Sequence, residues 1–401
     1  MHYKNLLALG VCLASCAFPA AAQTKAVRDF NPKTSLILQG TFADFGSSLE
    51  PEVPGVLLGP ETELRPAGFS LSETELVMEA NVDDQFHGWA TVALENEDGE
   101  TVVAVEEAYV NTLALPAGLA LKFGRFFSDL GYQNRIHSHA WEFVDMPIVY
   151  RTLLANQVND DGVQLRWVAP TDLFVELGVE ALRGQEFPAG GDERDGVNST
   201  VGFVHFGGDV GVGGAWRIGL SRLAADADGR VTGEEDSPET FTFTGDSDVS
   251  VLDLVFKWAQ DGNPAKRNVV IHAEYFRRDE NGTVDFDDGA NPTVSTAYDG
   301  TQDGFYVQGV YQFMPRWRAG LRYDRLKADN AVTNNPAGEF DTLADPAAAK
   351  RTSVMLDFSN SEFSRLRLQY NRDASRPGGE KDDQWFVQYV MSIGSHPAHQ
   401  F

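Results

Sequence analysis

The stretch "RIHSHAWEFVDMPIVYR", residues 135–151, concentrates side chains that bind metal ions or move protons. His137 and His139 lie two residues apart, and Glu142 and Asp145 follow closely. Imidazole and carboxylate groups are usual zinc ligands, so these four residues form a candidate metal site. No H-E-x-x-H sequence or cysteine pair accompanies them. The alternative is that both histidines bond backbone groups within a packed loop.

Other chemistry-bearing motifs are sparse. His396 and His399 have an H-x-x-H spacing, which is a weak metal signal. The chain contains no G-x-S-x-G sequence, no P-loop and no persuasive arrangement of serine, histidine and acid. We therefore predict that the protein is not an enzyme and that it needs no cofactor, with zinc or another divalent cation as the alternative.

The amino terminus predicts a secretory signal peptide, residues 1–22. Lys4 precedes an apolar run, and Ala20 and Ala22 stand where a signal peptidase reads small residues, so we expect the mature chain to begin at Gln23. A lipoprotein cleavage box ending at Cys16 is the alternative. With ordinary cleavage both cysteines are lost, which argues against a disulfide-stapled secreted scaffold.

The charge of the chain narrows its partners. It carries 32 basic and 59 acidic residues, a formal net charge of −27. Such a surface repels nucleic acid, so we expect no nucleic-acid partner. Beyond the signal, no apolar run approaches the roughly 18 to 20 residues of a membrane helix. A bilayer crossing would therefore have to use strands closed into a barrel, because an open sheet edge in lipid leaves backbone groups unpaired.

The region after the signal alternates apolar and polar residues in segments of up to 13 residues, which predicts strands with one face against an apolar medium. We predict sixteen strands. They span residues 34–44, 69–80, 84–95, 101–112, 118–127, 162–168, 173–183, 198–207, 212–223, 249–259, 266–278, 304–314, 316–327, 350–359, 362–372 and 383–393.

The connections alternate between short turns, such as "APTD" and "MPR", and long polar loops such as "AADADGRVTGEEDSPETFTFTGDSDV". Transmembrane barrels have this asymmetry, with short periplasmic turns and long extracellular loops. We therefore predict an all-β fold, a transmembrane antiparallel β-barrel of about 16 strands occupying residues 23–401, in the outer membrane of a Gram-negative bacterium. The alternative is a soluble sandwich, which would bury the apolar face and turn the polar face to solvent.

The alternation also predicts which side chains enter the barrel. In "SRLRLQYN", Leu366 and Leu368 share one face while Arg365 and Arg367 share the other. A polar inner face and an apolar outer face are typical of membrane barrels. Facing basic and acidic walls would orient polar solutes, and charged rings set ion preference. The predicted pore-lining residues are Lys122, Arg166, Arg217, Lys257, Arg318, Arg322, Arg365, Arg367, Glu73, Glu75, Glu176 and Glu180.

Residues 128–161 form the longest predicted connection, and they are rich in aromatic and apolar residues. So apolar a segment should pack against something rather than extend into water. It follows the fifth predicted strand, and in this position it resembles the loop that folds into sixteen-stranded porins. We therefore predict that residues 128–161 fold inward and constrict the barrel.

A family resemblance rests on residues 121–184, which begin "LKFGRFFSDLGYQNRIHSHAWEFVDMPIVYR", on "VEEAYVN" and on the closing "SIGSHPAHQF". These segments resemble a proteobacterial outer-membrane porin family related to the phosphate-selective porins O and P. Some of its members are labelled zinc-regulated TonB-dependent outer membrane receptors. The resemblance implies a porin-like barrel and, through that label, a link to zinc. TonB-dependent receptors carry a plug domain before the barrel, and a first strand near residue 34 leaves no room for one.

We therefore predict an outer-membrane porin-like channel for passive diffusion of small polar or charged solutes. The alternative is an outer-membrane receptor or scavenger that binds zinc or another divalent metal, and a barrel that merely anchors adhesive loops is a third hypothesis. The expected surroundings are outer-membrane lipid and lipopolysaccharide. A homotrimer is the usual assembly of such porins and is one possible assembly here. The sequence alone assigns neither the oligomeric state nor the solute and the ion selectivity.

Overall fold

A computed structural model describes residues 32–47, 53–60, 62, 64–97, 100–191, 195–232, 239–344 and 348–394. The predicted signal peptide, residues 1–22, lies outside these ranges, and so do His396 and His399. Among the described residues, no helix combines the length and the apolarity that a membrane span requires.

The described residues form seventeen strands and two short α-helices. The strands are β1 Lys33–Phe45, β2 Gly68–Leu71, β3 Thr74–Asn81, β4 Phe86–Glu97, β5 Glu100–Thr112, β6 Leu119–Phe127, β7 Asn159–Val168, β8 Phe174–Leu182, β9 Ser199–Val210, β10 Gly214–Thr232, β11 Thr240–Ala259, β12 Asn268–Asp287, β13 Val294–Met314, β14 Trp317–Val332, β15 Ala348–Ser361, β16 Ser364–Asp373 and β17 Asp382–Gly394. The helices are α1 Ile148–Leu154 and α2 Asp341–Ala344.

The strands close into one antiparallel barrel. From β3 onward each strand pairs with the next, and β17 pairs with β1 from Ser35 opposite Gly394 to Phe45 opposite Gln384. The other edge of β1 pairs with β3 at residues 33–37 and with the short β2 at residues 40–43. Because β2 and β3 together fill one position, the ring has sixteen positions. The predicted sixteen-stranded barrel is confirmed.

The two faces of the wall have opposite chemistry. On β16, Leu366 and Leu368 are 46% and 44% exposed, whereas Arg367 and Gln369 are buried. A soluble sandwich would bury the leucines instead. The barrel turns its apolar side chains outward and its polar side chains into the lumen, which is the pattern of a wall surrounded by lipid.

The strands β10 to β14 are longer than the sequence predicted. Much of the expected loop after residue 223 is strand, since β10 continues to Thr232 and β11 begins at Thr240. In these extensions the pattern reverses: on β10, Leu220 faces outward, but Ala225 and Ala227 are buried while Asp226 and Asp228 are exposed. Because the apolar side chains change face, the extensions lack the alternation expected of a lipid-facing strand, and the sequence pattern predicted loops there.

Apolar side chains also fill part of the lumen. One buried cluster joins α1 to lumen-facing residues of the wall from β8 to β15, among them Val201, Leu223, Phe276 and Tyr306. A second cluster joins Leu57, Phe340 and the strand extensions through Phe243, Val284 and Tyr298. Segments outside the wall therefore pack inside the barrel toward the long-loop end, defined as the end that carries residues 46–67, 183–198 and 333–347.

Candidate functional site

Residues 128–158, here called the inward segment, follow β6 and lie against the lumen face of the wall. One anchor is Glu274 on β12, whose carboxylate accepts the backbone N–H groups of Tyr132 and Gln133 at 3.1 and 3.0 Å. It also accepts the hydroxyl groups of Tyr150 and Tyr306 at 2.9 and 2.6 Å. A single buried carboxylate thus satisfies four donors from the inward segment and the wall.

Asp145 provides a second anchor. Its carboxylate accepts bonds from Arg322 on β14 and Arg351 on β15 at 2.8 and 2.6 Å, and from the Gln369 and Asn371 amides of β16 at 2.6 and 3.0 Å. Burial alone would raise the pKa of Asp145, but the two guanidinium groups outweigh burial and hold this pKa well below its usual range. The pairs fix the middle of the inward segment to three strands.

The helix α1 follows Asp145, contributes Tyr150 to the Glu274 anchor and is buried along its whole length. Its seven residues are too few for a stable isolated helix, so packing on the wall must stabilise it. The helix is capped at its C-terminus by Ala155, which has a left-handed backbone with φ of 46°. The following Asn156 has a φ of 70°, and together they turn the chain back toward β7.

A cavity of about 940 Å³ remains at the short-turn end of the lumen, the end that carries residues 82–85, 113–118 and 315–316. Among the described residues that line it, seven are cationic and four are anionic. Glu79 and Glu107 come from β3 and β5, whereas Lys257, Arg318 and Arg365 come from β11, β14 and β16. Lys33 on β1, beside β3, and Lys122 on β6, beside β5, line the cavity as well, so basic residues lie on both sides of the acidic ones.

The predicted pore-lining residues divide into two groups. Five of them line the cavity, namely Lys122, Arg166, Lys257, Arg318 and Arg365. The others are buried against a neighbour: Glu73 beside Glu106, Glu75 beside His139, Glu176 beside His205, Glu180 beside Ser128, Arg217 over the Tyr132 ring, Arg322 on Asp145 and Arg367 on Asp357. These seven support the inward segment or the wall.

The four predicted metal ligands do not form one cluster. The rings of His137 and His139 stack with centroids 5.8 Å apart. Glu142, however, pairs with Arg318 at 2.8 Å, and Asp145 is held by its two arginines. Arginines of the wall hold both carboxylates, and among the described residues the atoms close enough to share an ion with His137 belong to Glu75 and Glu106 instead.

His137 lies instead among carboxylates of the wall. Its Nε2 atom is 2.9 Å from Glu107, and its Nδ1 atom is 3.4 Å from Glu75 and 3.5 Å from Glu106. Burial would lower the pKa of His137, but the charge of Glu75 and the adjacent carboxylates of Glu106 and Glu107 raise this pKa well above its usual range. Glu106 and Glu107 are not among the residues predicted from the sequence, although their adjacency in "VEEAYVN" was a signal.

A β-bulge explains why both glutamates point inward. Thr91 of β4 pairs with Glu107 of β5, but the next residue of β4, Val92, pairs with Val105, so Glu106 is the extra residue. A bulge inserts one residue and re-aims a side chain that strict alternation would send to the other face. The bulge therefore places two successive carboxylates beside the inward segment.

Solved structures with the same fold are outer-membrane proteins. Over 90% of this chain, the structure matches OmpTΔL8, a loop-deletion mutant of an outer membrane protein of Vibrio cholerae, with 11% identity, a TM-score of 0.54 and 99% of that chain covered. It matches OmpF of Salmonella typhi with 11% identity and a TM-score of 0.53, over 90% of this chain and 97% of that one. The anion-selective porin of Comamonas acidovorans gives 10% identity and 0.50, over 90% and 99%. The chain thus has the fold of outer-membrane porins.

Sequence comparison identifies a relative. The chain is 32% identical to an uncharacterized protein of Aquifex aeolicus (strain VF5), over 93% of this chain and 80% of that protein. The chain therefore belongs to the same family as the Aquifex aeolicus protein. No family model matches the chain. Nothing in these comparisons favours the alternative of a zinc receptor.

Proposed function

We propose that the protein is an outer-membrane channel through which small polar or charged solutes diffuse passively. The observation that carries this proposal is a closed barrel with a polar lumen wall, entered by a segment that narrows it. Apolar belts on the outer faces of β7, β14 and β16 support insertion in lipid. We expect cleavage before Gln23, contact with outer-membrane lipid and lipopolysaccharide, and no enzymatic turnover.

The inward segment would set the size limit of this channel. The cavity of about 940 Å³ lies at the upper end of the range of small-molecule sites, roughly 300 to 1,000 Å³. Beyond it, α1 and its apolar neighbours occupy the lumen. Passage past them depends on how firmly the Glu274 and Asp145 anchors hold the inward segment, so we expect a low conductance compared with a barrel that lacks the segment.

The test is the current through refolded protein in a planar lipid bilayer. We expect small, steady steps from the wild type and steps several-fold larger from Asp145→Asn, because the neutral amide cannot form ion pairs with Arg322 and Arg351. Asp288→Asn is the control, since Asp288 lies exposed in the connection between β12 and β13 and contacts only its own turn. Folded protein that carries no current in any of the three forms would contradict a channel.

Assembly is a separate part of the proposal. We propose a homotrimer, because sixteen-stranded porins usually associate in this way. Chemical cross-linking in membranes, followed by denaturing electrophoresis, should give a ladder that ends at three chains. A product that stays at one chain under the same conditions would contradict the trimer while leaving the channel proposal intact.

A further inference from the structure

Three side-chain atoms converge where the inward segment meets the wall. They are Oε2 of Glu75 on β3, Oε2 of Glu106 on β5 and Nδ1 of His137, and all three lie within 4.8 Å of one another. None of the three has a hydrogen-bond partner among the described residues, although each atom is buried. Buried polar atoms normally form hydrogen bonds, but here only the charge of a protonated His137 offsets the two carboxylates, at distances that are long for hydrogen bonds.

Their spacing fits a metal ion. Ligands at about 2.0–2.2 Å from a tetrahedral zinc ion lie roughly 3.3–3.6 Å from one another. The His137 Nδ1 atom is 3.4 Å from the Glu75 oxygen and 3.5 Å from the Glu106 oxygen. Both distances are long for a hydrogen bond and match the edges of such a tetrahedron.

The surrounding bonds orient the ligands. The His137 Nε2 atom lies 2.9 Å from Glu107 and keeps its proton there, so an ion that displaces the proton of Nδ1 meets a lone pair directed toward the two carboxylates. The other oxygen of Glu75 is 2.6 Å from Nδ1 of His139, which fixes the Glu75 carboxylate. Carboxylate–histidine pairs of this kind support ligands in metal sites.

The charge and the access of the cluster also suit a cation. Glu73 contributes a further buried carboxylate oxygen without a hydrogen-bond partner among the described residues. His137 lines the cavity, so an ion in the lumen can reach it. One imidazole with two carboxylates is typical of transition-metal sites, whereas calcium takes six to eight oxygen ligands.

We propose that Glu75, Glu106 and His137 bind a divalent transition-metal ion of the zinc class, which ties the inward segment to β3 and β5. The fourth position is open to water or to Glu73. The proposal stands on this geometry and not on solute transport, so the site would exist even in a barrel that conducts nothing.

Zinc binding to the full, refolded protein in detergent tests the proposal, with a chromophoric chelator as competitor. We expect one zinc ion per chain at micromolar concentration, retained in a large excess of Ca²⁺. Glu106→Gln should weaken binding about tenfold or more, because the amide is a poor ligand. Glu79→Gln is the matched control: Glu79 and Glu106 side chains are both 13% exposed, and Glu79 pairs with Lys33 outside the cluster.

A second readout protects the test against misfolded variants. X-ray absorption by zinc-loaded wild-type protein should show one imidazole with oxygen ligands at about 2.0–2.2 Å. The proposal is overturned if the wild type binds no zinc at micromolar concentration, if Glu106→Gln binds it as tightly as Glu79→Gln does, or if the zinc carries several imidazoles, which would place it on other histidines.

Discussion

At the scale of single residues, the interior of this barrel is organised by carboxylates. Glu274 accepts four hydrogen bonds at one point of the wall. A buried carboxylate in this position is stable only because its donors surround it, and the donors in turn lose their partner if it is removed. Glu274 therefore fixes the turn at Tyr132 and the helix residue Tyr150 together.

We expect Glu274→Ala to loosen the inward segment without opening the barrel. Each orphaned donor costs about 1–3 kcal/mol, which is enough to release the segment from the wall. Trypsin should then cut the folded protein after Arg135 or Arg151, both of which lie in the inward segment. Asp279→Ala on the same strand is the control, because Asp279 faces outward and pairs with Arg277. Equal resistance in both variants would exclude Glu274 as an anchor.

The Asp145 anchor predicts a pH dependence. Its folded pKa lies below the unfolded value of about 3.9, so its stabilising contribution is complete above that value and is lost as pH falls toward the folded pKa. The difference in trypsin resistance between wild type and Asp145→Asn should stay constant from about pH 8 to pH 5. Pepsin at lower pH should show the difference shrinking below about pH 4. A difference that disappears near neutral pH would point to another titrating group.

At the scale of elements, the sequence predicted the strand segments that face lipid and missed the strand extensions whose apolar side chains pack in the lumen. The strands β7, β8 and β17 begin and end within three residues of their predicted bounds, because alternation with an apolar outer face is visible in the chain itself. The extensions of β10 to β14 were missed, because they bury alanine, valine and aromatic side chains inward. That choice depends on partners such as Phe340, which are distant in sequence.

The candidate site shows the same division. The types and the spacing of His137 and His139 were enough to identify both histidines as candidate site residues. Their partners Glu75, Glu106 and Glu107 come from two wall strands, and Glu106 faces inward only because β5 bulges. Glu142 and Asp145 are close to the histidines in sequence, yet they reach arginines on other strands. Proximity along the chain therefore misidentified the ligands.

Gly124 on β6 offers a test at this scale. It has a φ of +124°, and an added Cβ would lie 2.1 Å from the carbonyl oxygen of Ala108 on β5. Because that contact is with backbone, Gly124→Ala should separate β5 from β6 and lower the temperature at which the folded barrel changes its mobility in gels. Gly202→Ala is the control, since a Cβ there meets nothing within 4 Å. Similar melting of the two variants would show that β5 and β6 adjust freely.

At the scale of the whole molecule, charge is distributed unevenly. The chain carries a formal net charge of −27, but the cavity has seven cationic lining residues against four anionic ones. The exposed acidic residues are screened beyond about 10 Å at ordinary ionic strength, whereas charges inside a narrow lumen act on an ion at close range. The cavity, and not the net charge, should therefore determine which ions pass.

We therefore expect the reversal potential under a potassium chloride gradient to indicate a preference for chloride. Lys257→Gln should reduce this preference, because Lys257 lines the cavity. Lys266→Gln should leave it unchanged, since Lys266 lies in the connection between β11 and β12 and pairs with Asp261. A preference for potassium in the wild type would show that the acidic outer surface dominates. An equal effect of both substitutions would show that the ions respond to total charge, and the cavity would then lose its role as the selective element.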